Sequence, residues 1–281
     1  MKKTITLFSF FLLVTVFVAA QSNSNNLEQR GNNNLANITQ VGSQNVSLVV
    51  HVGDDNALTM GQNGAGNAAE NQVEGSENSI FIQQVGNGNQ AVTRIQANKN
   101  DARVSQDGNA NVANQDLHSD DSRASIFHEG NNNLSIQQQL GVGNQRAIVD
   151  AFGNSNHTSQ SQYGENNFSK LNIIGDANVQ IIQQNGVSNS MGAMTEGNAN
   201  DMNVLQNGNN NFAGADNDPR LLQTGNDNSI LLVQQGNSNS SSIRQEGNSN
   251  TTINAQTGTG HSNITNQIGN GNTATVTQSN N

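Results

Sequence analysis

Glycine recurs every eleven residues along almost the whole of this 281-residue chain, and that spacing constrains its fold more than any other feature. The marks run Gly31, Gly42, Gly53, Gly64, Gly75 and Gly86, then, past Ala97 in the next slot, Gly108. Ser119 holds the following slot, and Gly130 and Gly141 come after it. One residue of slip leads to Gly153, Gly164, Gly175, Gly186, Gly197 and Gly208. Six residues of slip lead to Gly225, Gly236, Gly247, Gly258 and Gly269, with Asn280 in the last slot. Eight residues before a mark there is nearly always Asn, and two before it usually Gln. The unit is N-x-[small]-x-[aliphatic]-x-Q-x-G-x-x. It occurs 23 times, the first beginning at Asn23; Asn opens 20 units, glycine marks 20, and Gln holds the seventh place in 15. An Asn-rich disordered tract would not keep such a register.

Each unit reads as one strand and one tight turn. Side chains alternate along a strand, so unit positions 1, 3, 5 and 7 share a face. Position 3 is small, as at Ala36, Ala69, Ala102 and Ala124, and position 5 aliphatic, as at Ile38, Ile82, Val104 and Leu171. An eleven-residue period could also suit a helix, but Gly and Asn in every unit make helices costly. Two arcs back to back close a coil of 22 residues, so the spacing predicts an all-β solenoid of about 23 strand-turn arcs, amyloid-like in its stacking.

Stacking places Asn over Asn and Gln over Gln. The expected Asn ladder is Asn34, Asn45, Asn56, Asn67, Asn78, Asn89, Asn100, Asn111, Asn133, Asn156, Asn167, Asn178, Asn189, Asn200, Asn217, Asn228, Asn239, Asn250 and Asn272. The expected Gln ladder is Gln40, Gln62, Gln84, Gln106, Gln139, Gln162, Gln184, Gln206, Gln223, Gln234, Gln245, Gln256, Gln267 and Gln278. A buried amide is expensive alone but satisfied beside its own copy, which explains how a chain only 32% hydrophobic could have an interior. The two slips are read as turn insertions, one around Gly143-Asn144 and one at residues 211–216. The second reading makes Asn217 to Gln223 a regular unit, with Pro219 removing one ladder donor.

Composition excludes several classes. There is no cysteine to staple a secreted domain, and 11% charged residues with a net charge of −10 give no basic patch for nucleic acid. The five histidines lack metal spacing, and His51, His128 and His261 stand where Gln or Asn would continue a ladder. No enzyme, metal or cofactor is expected; Gly86-Asn-Gly88 looks like a nucleotide loop only because the turns are glycine-rich. Residues 1–20 read as a secretory signal: Lys2 and Lys3, an apolar run, then cleavage between Ala20 and Gln21. That leaves residues 21–22 as a short lead-in and 23–281 as the repeat domain.

The doubled unit, as in Asn34-Leu-Ala36-Asn-Ile38-Thr-Gln40-Val-Gly42 and Asn100-Asp-Ala102-Arg-Val104-Ser-Gln106-Asp-Gly108, resembles the curlin repeat of bacterial curli subunits. The resemblance covers essentially all of the chain after the signal. It implies a subunit secreted from a diderm bacterium and polymerised outside the cell into amyloid fibres of the biofilm matrix, serving adhesion and cell aggregation. It also implies an outer-membrane export channel and a counterpart subunit, nucleator or major. Any export signal would have to lie within residues 21–31. Outward apolar clusters at Val46/Leu48/Val50, Leu134/Ile136, Val179/Ile181 and Leu231/Val233 would suit either ordinary strand propensity or lateral association. Outward Arg94, Arg103, Arg123 and Arg244 read as gatekeepers against premature aggregation. The competing reading is a monomeric secreted solenoid, an adhesin or ice-binding protein. A flat outward Thr array, as ice binding would need, occurs only at Thr273, Thr275 and Thr277.

Overall fold

The computed structural model describes residues 22–214 and 221–280. The signal segment, with the expected cleavage at Ala20 and Gln21, lies outside the described residues. Those described form 24 strands, from Ser24–Arg30 to Thr273–Ser279, with no helix among them. The strands alternate between two sheets of twelve, and all pairing is parallel. Away from the two insertions each residue pairs with the one 22 places on, Ser24 with Val46 in the first sheet and Leu35 with Ala57 in the second. The chain is a β-solenoid with 22 residues per coil, and at roughly 4.8 Å between stacked strands it is about 55 Å long.

The strands form where the period-2 pattern is strongest. Val46–Val52 alternates exposed or half-buried with buried residues, Ser47, Val49 and His51 pointing inward. The interior holds two apolar clusters. One runs from Val49 to Ile126 and the other from Val149 to Ile243.

The turns explain the glycines. The marked glycines take φ between 102° and 149°, in the left-handed half of conformational space. A Cβ on Gly64 would lie 1.9 Å from the carbonyl oxygen of Gly86, one coil on, and most of the column is equally tight. Two residues after each mark, a left-handed residue completes the corner, such as Asn33 at φ 55° or Asp55 at 58°. Ala97 and Ser119 hold mark positions without positive φ, so the backbone turns differently there.

The structure corrects one register. Asn211, not Asn217, stands in the Asn column: its N–H donates to Asn189 Oδ1 at 3.0 Å, and its own Oδ1 accepts from Asn239 N–H at 3.1 Å. Phe212 and Ala213 pair with Ser190 and Met191, and pairing resumes with Leu221 opposite Ala193. The extra residues therefore interrupt the arc itself, between Ala213 and Leu221, and split it into two short strands. The physical reason is that Asn210, at φ 55°, completes an ordinary two-residue corner, so Asn211 follows without slack. Asn217 and Pro219 lie outside the described residues. The other slip is in a turn: Gly141, Gly143 and Asn144 all take positive φ, and Gln145 enters the ladder position.

Candidate functional site: an amide-laddered stacking surface

The repeated contact between coils is built one side chain at a time. Asn56 donates its backbone N–H and its Nδ2 to Asn34 Oδ1, both at 3.1 Å. Its Nδ2 also donates to the Gly75 carbonyl at 2.8 Å. Its Oδ1 accepts the N–H and Nδ2 of Asn78 at 3.1 and 3.0 Å. Every polar atom of the side chain is used, and the same atoms are offered upward as are taken from below. A buried amide so placed has no desolvation debt left.

Such Asn residues form two columns. The column leading into the first sheet is Asn in all twelve coils, linked by N–H to Oδ1 bonds from Asn45–Asn23 through to Asn272–Asn250. The column leading into the second sheet runs through Asn34, Asn56, Asn78 and Asn100. Ser122 and Gln145 then substitute, bonding to Asn100 Oδ1 and Ser122 Oγ through their N–H groups. The column resumes at Asn167, Asn189, Asn211 and Asn239, and His261 closes it with an N–H bond to Asn239 Oδ1.

The glutamines form three runs, not one. Gln40, Gln62, Gln84 and Gln106 link head to tail on the second sheet. Gln139, Gln162, Gln184, Gln206, Gln234, Gln256 and Gln278 do so on the first. Gln223, Gln245 and Gln267 make a short third run back on the second. Gln62 shows the full pattern: Nε2 donates to Gln84 Oε1 at 2.9 Å and to the Val46 carbonyl at 3.0 Å.

Two further ladders escape the eleven-residue consensus. Gln115, Gln137 and Gln160 stack at the nominally aliphatic fifth position, at 3.0 and 2.8 Å. They were visible as Gln in three successive odd-numbered arcs once odd and even arcs are separated. On one edge, Asn87, Asn109, Asn131, Asn154, Asp176, Asn198, Asn226, Asn248 and Asn270 each accept the turn N–H of the coil before through Oδ1. The signal was Asn or Asp directly after each of these glycines.

The histidines do not carry the ladders onward through their rings. His51 Nε2 meets Asn71 Oδ1 at 2.8 Å, and His128 Nε2 meets Ser135 Oγ at 2.6 Å. Each leaves Nδ1 buried without a partner. Burial pushes both below the usual imidazole range, His128 to about 4, while the Asn71 bond partly opposes this at His51. Burial raises Asp150, with Lys170 opposing, and Asp201. No group of His, Cys, Asp or Glu among the described residues is arranged to hold a metal.

The four outward apolar clusters all lie on the first sheet, at separate levels; Val46, Ile136, Ile181 and Leu231 are exposed. The outward arginines are paired: Arg94 with Glu70 at 2.9 Å, Arg103 and Arg123 with Asp101 at 3.0 and 3.5 Å, and Arg244 with Glu246.

The model of the curlin associated repeat matches residues 31–64, 53–86, 75–108 and 225–258. No curated protein matches the chain. The matched segments are regular coils of the solenoid, including the three that carry the first Gln run. The chain therefore carries four curlin associated repeats within its 22-residue β-solenoid.

Proposed function

We propose that the secreted chain is a structural subunit of extracellular, curli-type amyloid fibres, assembling end to end and supporting biofilm matrix, adhesion and cell aggregation. One observation carries this reading. Each coil hands the next the same in-register set of amides and backbone groups, so the contact between coils within a chain is a ready pattern for a contact between chains. Ser24–Arg30 and Leu35–Ser43 at one end, and Ser262–Ile268 and Thr273–Ser279 at the other, are each paired along one edge only. Open edges of this kind recruit further strands. Self is therefore the principal partner; an outer-membrane export channel and a nucleator or major-subunit counterpart complete the proposal.

The test is assembly of the purified chain without its first 20 residues. Fibres should form that bind thioflavin and diffract near 4.7 and 10 Å, with a lag shortened by fragments of preformed fibre. A solution that stays monomeric at high concentration, even when seeded, would overturn the reading in favour of a monomeric surface-binding solenoid.

A further inference from the structure

The outer face of the second sheet carries a groove of about 340 Å³ across the strands Leu35–Ser43, Ala57–Ala65 and Ser79–Asn87. Gly61 is its floor. This glycine is outside the turn columns, does not take positive φ, and a Cβ built on it would meet nothing within 4 Å. Neither backbone nor close approach requires glycine here. What Gly61 does is remove one side chain from an outward column, between Thr39 on one neighbouring strand and Gln83 on the other.

The walls are chemically mixed but uncharged. Phe81 stands over one side with 38% of its surface exposed, and Val41 and Val85 flank the other. Asn37, Thr39, Thr59, Asn63 and Gln83 surround the notch, and their side chains make no hydrogen bond within the protein. A charged ligand would find no counter-charge in this lining. An apolar plug would cover amides and hydroxyls that then lack partners, a penalty at each one buried. The lining calls for a neutral ligand with an apolar face and a hydroxyl-bearing rim. A pyranose ring has both: C–H groups to lie on the Phe81 ring, and hydroxyls for the surrounding side chains.

We propose that the Gly61 groove is a subsite for one ring of a neutral polysaccharide. The site is complete within one chain, so it stands whether the protein is a monomer or a fibre.

The experiment is calorimetric titration of the full chain without its signal segment, as monomer and as fibre, with cellohexaose. Saturable binding is expected. Gly61→Val should weaken it by about tenfold or more while leaving circular dichroism and assembly kinetics unchanged, because valine suits a strand and touches nothing there. Phe81→Ala should weaken it similarly, and Ser242→Val, on the same face far from the groove, should not. The proposal is overturned if the unsubstituted protein shows no saturable binding, if Gly61→Val binds equally well, or if polygalacturonate binds more tightly than cellohexaose. It is overturned too if Gly61→Val changes only the sideways bundling of fibres, which would assign the groove to a second copy. Failure to form fibres at all would leave the titration intact, so the two proposals fail separately.

Discussion

The coils between Asn45 and Gly108 and those between Asn111 and Asn167 share one backbone geometry, but they satisfy it differently. In the earlier coils both Asn columns are unbroken and Gln62, Gln84 and Gln106 run continuously on the second sheet, although Ala97 stands for glycine and His51 for Gln. In the later ones Ser119 stands for glycine, Ser122 and Gln145 stand for Asn, and His128 and Ala151 stand for Gln. The pairing survives, since Arg123 to Glu129 remain in register with Arg146 to Phe152. The side chains fare worse. Asn114 Oδ1, His128 Nδ1, Gln139 Oε1 and Gln145 Oε1 are buried there without partners, against His51 Nδ1 and Asn71 Nδ2 in the earlier coils. The two apolar clusters also part at this level, between Ile126 and Val149.

The difference separates two functions of the repeat. Parallel backbone pairing fixes the spacing and tolerates substitution. The amide columns supply satisfaction, and a column broken in one coil leaves unpaired atoms in that coil and its neighbours, each costing roughly 1–3 kcal/mol. The middle coils should therefore be the place where the solenoid yields first.

The largest test breaks the pure region. Gly64→Ala puts a methyl group 1.9 Å from the Gly86 carbonyl oxygen at a φ of 130°, and the neighbour that must move is backbone. A loss of about 4 kcal/mol or more is expected, read as a collapse of the urea midpoint. The mirror experiment, Ala97→Gly, should change stability by less than about 1 kcal/mol, because the backbone at residue 97 does not use the left-handed region. Both positions lie in the earlier coils, so equal effects would mean that the left-handed backbone at Gly64 does not carry the cost.

Acid offers a second, somewhat smaller lever on the middle region. Folding lowers the His128 pKa from 6.5 to about 4 by burial. Between those values the unfolded chain binds a proton that the folded one refuses. Stability should fall as pH drops from about 6.5 to about 4 and level off below, losing about 3 kcal/mol in all. His51 acts in the same direction. Asp150 and Asp201 act oppositely: with folded pKa values raised, they weigh on stability at neutral pH and release that burden on acidification. His128→Gln should remove most of the slope and give Gln106 Nε2 an acceptor one coil on. Denaturant midpoints at pH 7, 5 and 4 read the effect; an unchanged slope in the variant would sink it.

Much of this was written in the residue period. Strand, turn, coil size and the glycine and Asn columns follow from spacing alone, because each is imposed afresh every eleven residues. The misplaced insertion shows where spacing runs out. Asn211 and Asn217 both fit an arc opening, and only position 3 separates them, small Ala213 against Pro219. The Gln115–Gln137–Gln160 ladder was hidden by pooling odd and even arcs, which lie on different sheets and do not stack on each other. The sideways bond from His128 to Ser135 depends on ring geometry, which no period encodes.

The finest distinction lies at Ser122. Its Oγ sits 2.7 Å from Ser119 Oγ and accepts the Gln145 N–H at 3.2 Å, so this coil has replaced an amide link with a hydroxyl pair. Asn100 Oδ1 consequently accepts the N–H of residue 122 and no side-chain donor from it. Ser122→Asn would supply that donor, but Ser119 occupies the space an amide needs, and both serines are buried. The single substitution should therefore change stability by only a few tenths of a kcal/mol in either direction. Ser119→Gly with Ser122→Asn restores the glycine mark and the Asn together and should gain about 1 kcal/mol, a coupling readable in a double-mutant cycle. If the double variant is less stable than either single one, the hydroxyl pair is a matched solution in its own right. The middle coils would then differ from the pure ones in kind without being weaker.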